Sequence, residues 1–171
     1  MTSKTRPKET TASASKIDAI KLLTDDHKEV HKMFVQYAKL CKDGAASTER
    51  QLVAEQICMA LTVHAAIEEE IFYPEARAAG VEAVLLDEAE VEHASVKDLI
   101  AQIEGMDPDD ELYDAKVTVL GEYIDHHVKE EQDEMFPKCR QSAMDLKALG
   151  TLLAARKAEL MAEMSEGMEV S

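Results

Sequence analysis

A chain of 171 residues with 46% hydrophobic but only 4% aromatic residues, six Gly and four Pro can bury a core of Leu, Ile, Val, Ala and Met, and is poorly equipped with turns for a many-stranded sheet. Its 35 acids against 19 bases leave a net charge of −16, which argues against nucleic acid as a partner, since a phosphate backbone would be repelled. No apolar run approaches the ~20 residues that span a bilayer, and Cys41, Cys58 and Cys139, odd in number and without a CxxC pair, favour a reducing, cytoplasmic setting with buried thiols over a disulfide frame.

In chain order, "MTSKTRPKETTASASK" reads as a disordered leader, residues 1–16; it lacks the apolar stretch of a secretory signal. Residues 17–140 are expected to form a helical bundle, and 141–171 a further helix with a short tail. The first helix, from about Ile17 to Cys41, carries Ile20, Leu23, His27, Val30, Phe34 and Tyr37 on one stripe. "KDGAAS" interrupts it, and Thr48 with Gln51 has the spacing of a capping box for a second helix bearing Ile57, Ala60, His64, Glu68 and Ile71. That helix meets Pro74, and "RAAG" supplies a stop. A third helix, about 82–105, aligns Leu85, Ala89, His93, Val96 and Ile100. "GMDPDD" is a boundary where Asp107 can cap and Pro108 suits the first helical position. The fourth aligns Val117, Leu120, Ile124, His127, Glu131 and Met135 before Pro137. A fifth, about 144–165, presents Leu146, Leu149, Leu153 and Leu160 to the outside of the other four.

Each of the first four helices thus sets one histidine in its apolar stripe, and two add a glutamate one turn later. A single core histidine is ordinarily just hydrogen-bonded. Four at comparable depth with two carboxylates would each be costly to bury unpaired, but facing one another they form a pocket for cations. An isolated HxxxE is weak, because acids fill 35 of 171 positions. The larger repeat is specific: "HAAIEEEIFYP" (64–74) returns as "HVKEEQDEMFP" (127–137), and His27 and His93 precede each copy by similar intervals. Two such hairpins packed antiparallel give a pseudo-twofold bundle with the six side chains converging on its axis.

Imidazoles and carboxylates without thiolate suit iron or manganese better than structural zinc. Two octahedral ions sharing the carboxylates and a bridging oxygen would still have vacant positions, where dioxygen, peroxide or nitric oxide could bind. In "HHVKEE" two HxxxE registers compete, and the stripe of Val117, Leu120 and Ile124 selects His127 and Glu131 over His126 and Glu130.

With "DDH", "HAAIEEEIFYP", "VEH" and "HHVKEEQDEMFP" in place, the chain resembles the hemerythrin-like proteins of the HHE cation-binding family. The resemblance implies an all-α, antiparallel up-and-down four-helix bundle, here with an additional C-terminal helix. It implies two non-haem iron ions (Fe2+/Fe3+) with an oxo or hydroxo bridge, held by His27, His64, Glu68, His93, His127 and Glu131. One departure stands out: oxygen-carrying members have a second histidine four residues after the third-helix ligand, where this chain has Lys97. His31, one turn from His27, is the candidate additional ligand. The function expected is binding or sensing of dioxygen or nitric oxide, or iron handling; the alternative is a redox enzyme acting on peroxide or nitric oxide.

Overall fold

The structure, a computed structural model, describes residues 17–169; the expected leader and the end of the expected tail lie outside the described residues. Four long helices form the bundle: α1 (Ala19–Lys42), α2 (Ser47–Ile67), α4 (Ala83–Glu104) and α5 (Tyr113–Glu130). Short helices α3 (Tyr73–Ala78) and α6 (Phe136–Gln141) extend α2 and α5, and α7 (Leu146–Glu169) closes the chain. Helix α1 packs on α2 and α5, and α4 packs on α5 and α2, so the bundle is a closed square. Helix α7 lies outside it, against α1 and α2. That is the all-α bundle with an extra C-terminal helix expected from the stripes.

Local chemistry sets most boundaries. Asp18 caps α1 by accepting a hydrogen bond from the Lys21 backbone N–H at 2.8 Å. Gly80, at φ 82°, takes the left-handed conformation that ends α3. Gly150 has a different role: a Cβ there would stand 2.2 Å from the Ile17 carbonyl oxygen, so the missing side chain is what lets α7 approach the start of α1.

Three local expectations are corrected. Thr48 and Gln51 form no capping box, because α2 begins at Ser47 after Ala46 with no side-chain cap. Pro108 does not open a helix; Asp107 and Asp110 instead accept hydrogen bonds from the N–H groups of Asp109 and Leu112, both at 2.9 Å, and build successive turns before Tyr113. On α4 the buried leucine is Leu86 rather than Leu85, which is only partly buried.

The prolines do something subtler than end their helices. Before each lies a π-helical turn, Glu68–Phe72 and Glu131–Met135, in which the N–H of Tyr73 donates to the Glu68 carbonyl and that of Phe136 to the Glu131 carbonyl. A proline lacks an N–H and its ring collides with the carbonyl four residues back; the widened turn relieves both problems and the helix continues. The inserted residue also rotates the next turn of helix about its axis, so that Tyr73 stands on the same face as Glu68, and Phe136 on that of Glu131.

Two apolar clusters fill the interior. One gathers Leu23, Ile67, Phe72, Leu86, Met135 and Phe136; the other gathers Val30, Ile57, Leu61, Val96, Val117 and Leu120. Between them the four stripes each place a histidine.

Candidate metal centre

Among the described residues, the buried polar or charged side chains apart from tyrosine are His27, His64, Glu68, His93, His127 and Glu131. These are the six residues singled out by the repeat, and the fold brings all of them together in one layer. The Nε2 atoms of His27 and His64 face each other at 3.1 Å, as do those of His93 and His127. Glu68 lies between the pairs, with Oε1 2.9 Å from His64 Nε2 and Oε2 3.1 Å from His93 Nε2. Glu131 mirrors it, with Oε1 2.8 Å from His127 Nε2 and 3.5 Å from His27 Nε2. Glu68 Oε1 and Glu131 Oε1 are buried and make no hydrogen bond.

Such an arrangement is a poor hydrogen-bond network and a good donor set. Two imidazole nitrogens bound at right angles to one ion, at about 2.1 Å each, would be about 3.0 Å apart, close to the spacing found in both pairs. Orphaned carboxylate oxygens pointing at the same spot are the acceptors a cation would satisfy. The residues present therefore fit bound metal, with the four imidazoles and the Glu68 and Glu131 carboxylates as the donors that would hold it.

The outer nitrogens fix the rings. Asp26 accepts from His64 Nδ1 at 3.1 Å, and Glu92 from His127 Nδ1 at 2.7 Å. The Gln132 amide lies 3.2 Å from His27 Nδ1. At His64 and His127 an acceptor on Nδ1 selects the tautomer whose Nε2 lone pair faces inward, whereas the Gln132 amide nitrogen is a donor and positions the His27 ring without selecting that tautomer. His93 Nδ1 has no hydrogen bond; its nearest carboxylate, Glu69 at 3.9 Å, is taken by the Lys97 ammonium at 2.6 Å. Lys97, at the position where oxygen carriers have a histidine, is thus ion-paired at the rim. His31 is not brought into the cluster: its side chain is 65% exposed and lies 3.8 Å from Asp125, on the wall of a cavity of about 440 Å³ that reaches down to His27 and Gln132.

Electrostatics follow from this geometry. Burial disfavours a charged His64, but Glu68 and Asp26 outweigh it and raise the imidazole to about 10. Burial likewise opposes charge on His127, and Glu131 and Glu92 raise it to about 11. For Glu68 burial is overcome by His64 and His93, and its carboxyl is held well below the ordinary range. The Cys58 and Cys139 thiols are pushed up to about 12, chiefly by burial, so both are unreactive.

The pseudo-twofold is broken at the next position along. Tyr73 places its hydroxyl 2.9 Å from Glu68 Oε2, 3.2 Å from Glu131 Oε2 and 3.3 Å from His93 Nε2. Its counterpart Phe136 stacks on the His27 ring at 5.9 Å. Both rings are buried against the layer, but only the Tyr73 hydroxyl enters the His and Glu cluster. Asp26 and Glu92 were not singled out by their own helices' stripes. Each precedes a stripe histidine by one residue, and that adjacency was the available signal.

The model of the hemerythrin HHE cation-binding domain matches residues 18–139. A hemerythrin HHE cation-binding domain-containing protein of Mycobacterium kansasii has a similar structure, with a TM-score of 0.75 and 21% identity over 90% of this chain and 93% of that one. Among curated proteins none matches. On the family match across most of its length, the chain belongs to the hemerythrin HHE cation-binding domain family.

Proposed function

We propose that this protein is a cytoplasmic non-haem di-iron protein that binds or senses small molecules such as dioxygen or nitric oxide, or holds iron. The observation that carries this reading is the pair of facing imidazole pairs with orphaned carboxylate oxygens between them. His27, His64, Glu68, His93, His127 and Glu131 would hold the ions, and iron there would supply reversible ligation of small molecules and one-electron chemistry. The protein's own part is positioning. Asp26, Glu92 and Gln132 orient the rings, and the apolar clusters above and below keep bulk water from the layer. The cavity beside His27 offers a small molecule a way in.

Metal analysis with visible spectra of the anaerobic, air-exposed and nitric oxide-treated protein tests the reading. About two irons per chain are expected, as the donor set is sized for two octahedral ions, with spectra that change on gas addition. A single zinc after growth in iron-replete medium would sink it.

The second reading, a redox enzyme acting on peroxide or nitric oxide, is favoured by Tyr73. Its hydroxyl lies 2.9 Å from Glu68 Oε2 and 3.2 Å from Glu131 Oε2, so it can deliver a hydrogen bond or a proton beside the positions the ions would take. Turnover of peroxide or nitric oxide that falls in Tyr73→Phe at unchanged iron content supports the enzyme; absence of turnover in the parent protein returns the first reading.

A further inference from the structure

The two halves of the bundle diverge where they meet solvent. From His64 to His127 the repeat advances 63 positions, and at the same offset Val63 and Ile67 become His126 and Glu130. Val63 and Ile67 are 2% and 0% exposed, in the half covered by α7, and Asp26 there is neutralised by Lys157 from that helix. In the other half the side chains of His126 and Glu130 are 68% and 38% exposed. Glu92, which plays Asp26's part, pairs with no Lys or Arg among the described residues.

We propose that His126, Glu130 and Glu92 form a surface site for a divalent transition-metal ion from which the buried centre is filled. This rests on the reading that the buried cluster holds metal. His126 Nε2 lies 3.1 Å from Glu130 Oε1, and donor atoms of all three residues lie within 4.8 Å of one another. The set repeats the HxxxE spacing of the centre one residue earlier, and an imidazole with two carboxylates suits Fe2+, Mn2+ or Co2+.

Three features distinguish it from a solvated acidic patch. A histidine stands where the repeat otherwise calls for an aliphatic residue. Glu92 is shared, since the same carboxylate accepts from His127 Nδ1, so an ion on Glu92 is one imidazole away from the buried layer. A crevice of about 10 Å³, roughly the space of one water, is lined by Glu92 and Glu130 of the surface set together with His127 and Glu131 of the buried layer. An exposed ion would keep several waters and leave readily, as transit requires, and the net charge of −16 raises the local cation concentration.

The test compares the metal-free full chain with its His126→Gln/Glu130→Gln double variant. Co2+ uptake is followed by visible circular dichroism, which reports the buried, asymmetric donor set. The two should reach the same final signal, with the variant at least about tenfold slower at micromolar Co2+, the low end of charge-focusing effects on association, and the gap should close at high Co2+. In parallel, Mn2+ added to Co2+-loaded parent protein should show one additional weak site by electron paramagnetic resonance, lost in the variant. Equal uptake rates overturn the relay. Mn2+ binding that survives the double variant, or is absent in the parent, overturns the surface site. If Co2+ never enters the buried layer of the parent, the proposed function fails and the relay with it, a result told apart by the flat dichroism signal.

Discussion

Asp26→Asn probes the layer behind the candidate ligands, where the geometry gives a definite magnitude. The Asp26 carboxylate accepts from His64 Nδ1 at 3.1 Å and pairs with Lys157 on its other oxygen; its side chain is 12% and that of His64 9% exposed. Asparagine retains shape and an acceptor oxygen but removes the charge that makes His64 a stronger donor. Outer carboxylates on metal-binding imidazoles are worth about 10- to 100-fold in metal affinity, about 1.4–2.7 kcal/mol. One half of the centre should therefore weaken by that factor while the other, oriented by Glu92, keeps its affinity. Lys157 is left without its partner, but at 39% exposure it re-enters water at little cost. Chelator competition, read as metal occupancy against free chelator, should turn one transition into two, with circular dichroism of the metal-free variant unchanged. A single unshifted transition would refute the reasoning; so would equal weakening of both ions, because it would mean that Asp26 acts on the fold rather than on His64.

Register is tested by mutation: His127→Ala or Glu131→Ala should strip or halve the bound iron, whereas His126→Ala should retain both ions at equilibrium, and the reverse pattern in elemental analysis would mean that the fourth-helix assignment is off by one residue. Metal-free protein should stay largely helical, since the apolar clusters draw buried side chains from all four bundle helices, and its melting temperature should rise with iron as binding to the folded state stabilises it; complete unfolding on chelation would contradict this. The raised His64 and His127 contribute stability to the metal-free chain that is complete below the ordinary value of 6.5 and is lost as pH rises through about 10 and 11, so its melting temperature should fall over that window; metal binding near pH 7 should release about two protons, measurable calorimetrically in buffers of different ionisation enthalpy, and no proton release would show that these imidazoles are neutral beforehand. Gly150→Ala should cost about 1–3 kcal/mol in urea unfolding, the range for overpacking, because its Cβ would meet the Ile17 carbonyl; an unchanged midpoint would mean that α7 docks loosely.

What the sequence determined by itself was whatever depends on one helix at a time. The stripes set His27, His64, His93 and His127 on apolar faces, the i, i+4 spacing set Glu68 and Glu131 beside two of them, and the repeat tied the helices into two hairpins. The same logic resolved His127 from His126, since about 100° of helical rotation separates neighbours. Tertiary structure decided what depends on a neighbouring helix. Asp26 and Glu92 lie off their own stripes and matter because α2 and α5 present His64 and His127 to them. Lys97 of α4 engages Glu69 in the π-helical turn that follows α2, and His31 faces Asp125 rather than the cluster. The two π-helical turns were foreshadowed only by Pro74 and Pro137, because where a proline's lost hydrogen bond is absorbed depends on the packing around it. Periodicity encodes direction about a helix's own axis. Which helix stands opposite, and how far each is rotated toward it, is settled by the packing of α1, α2, α4 and α5 into one core.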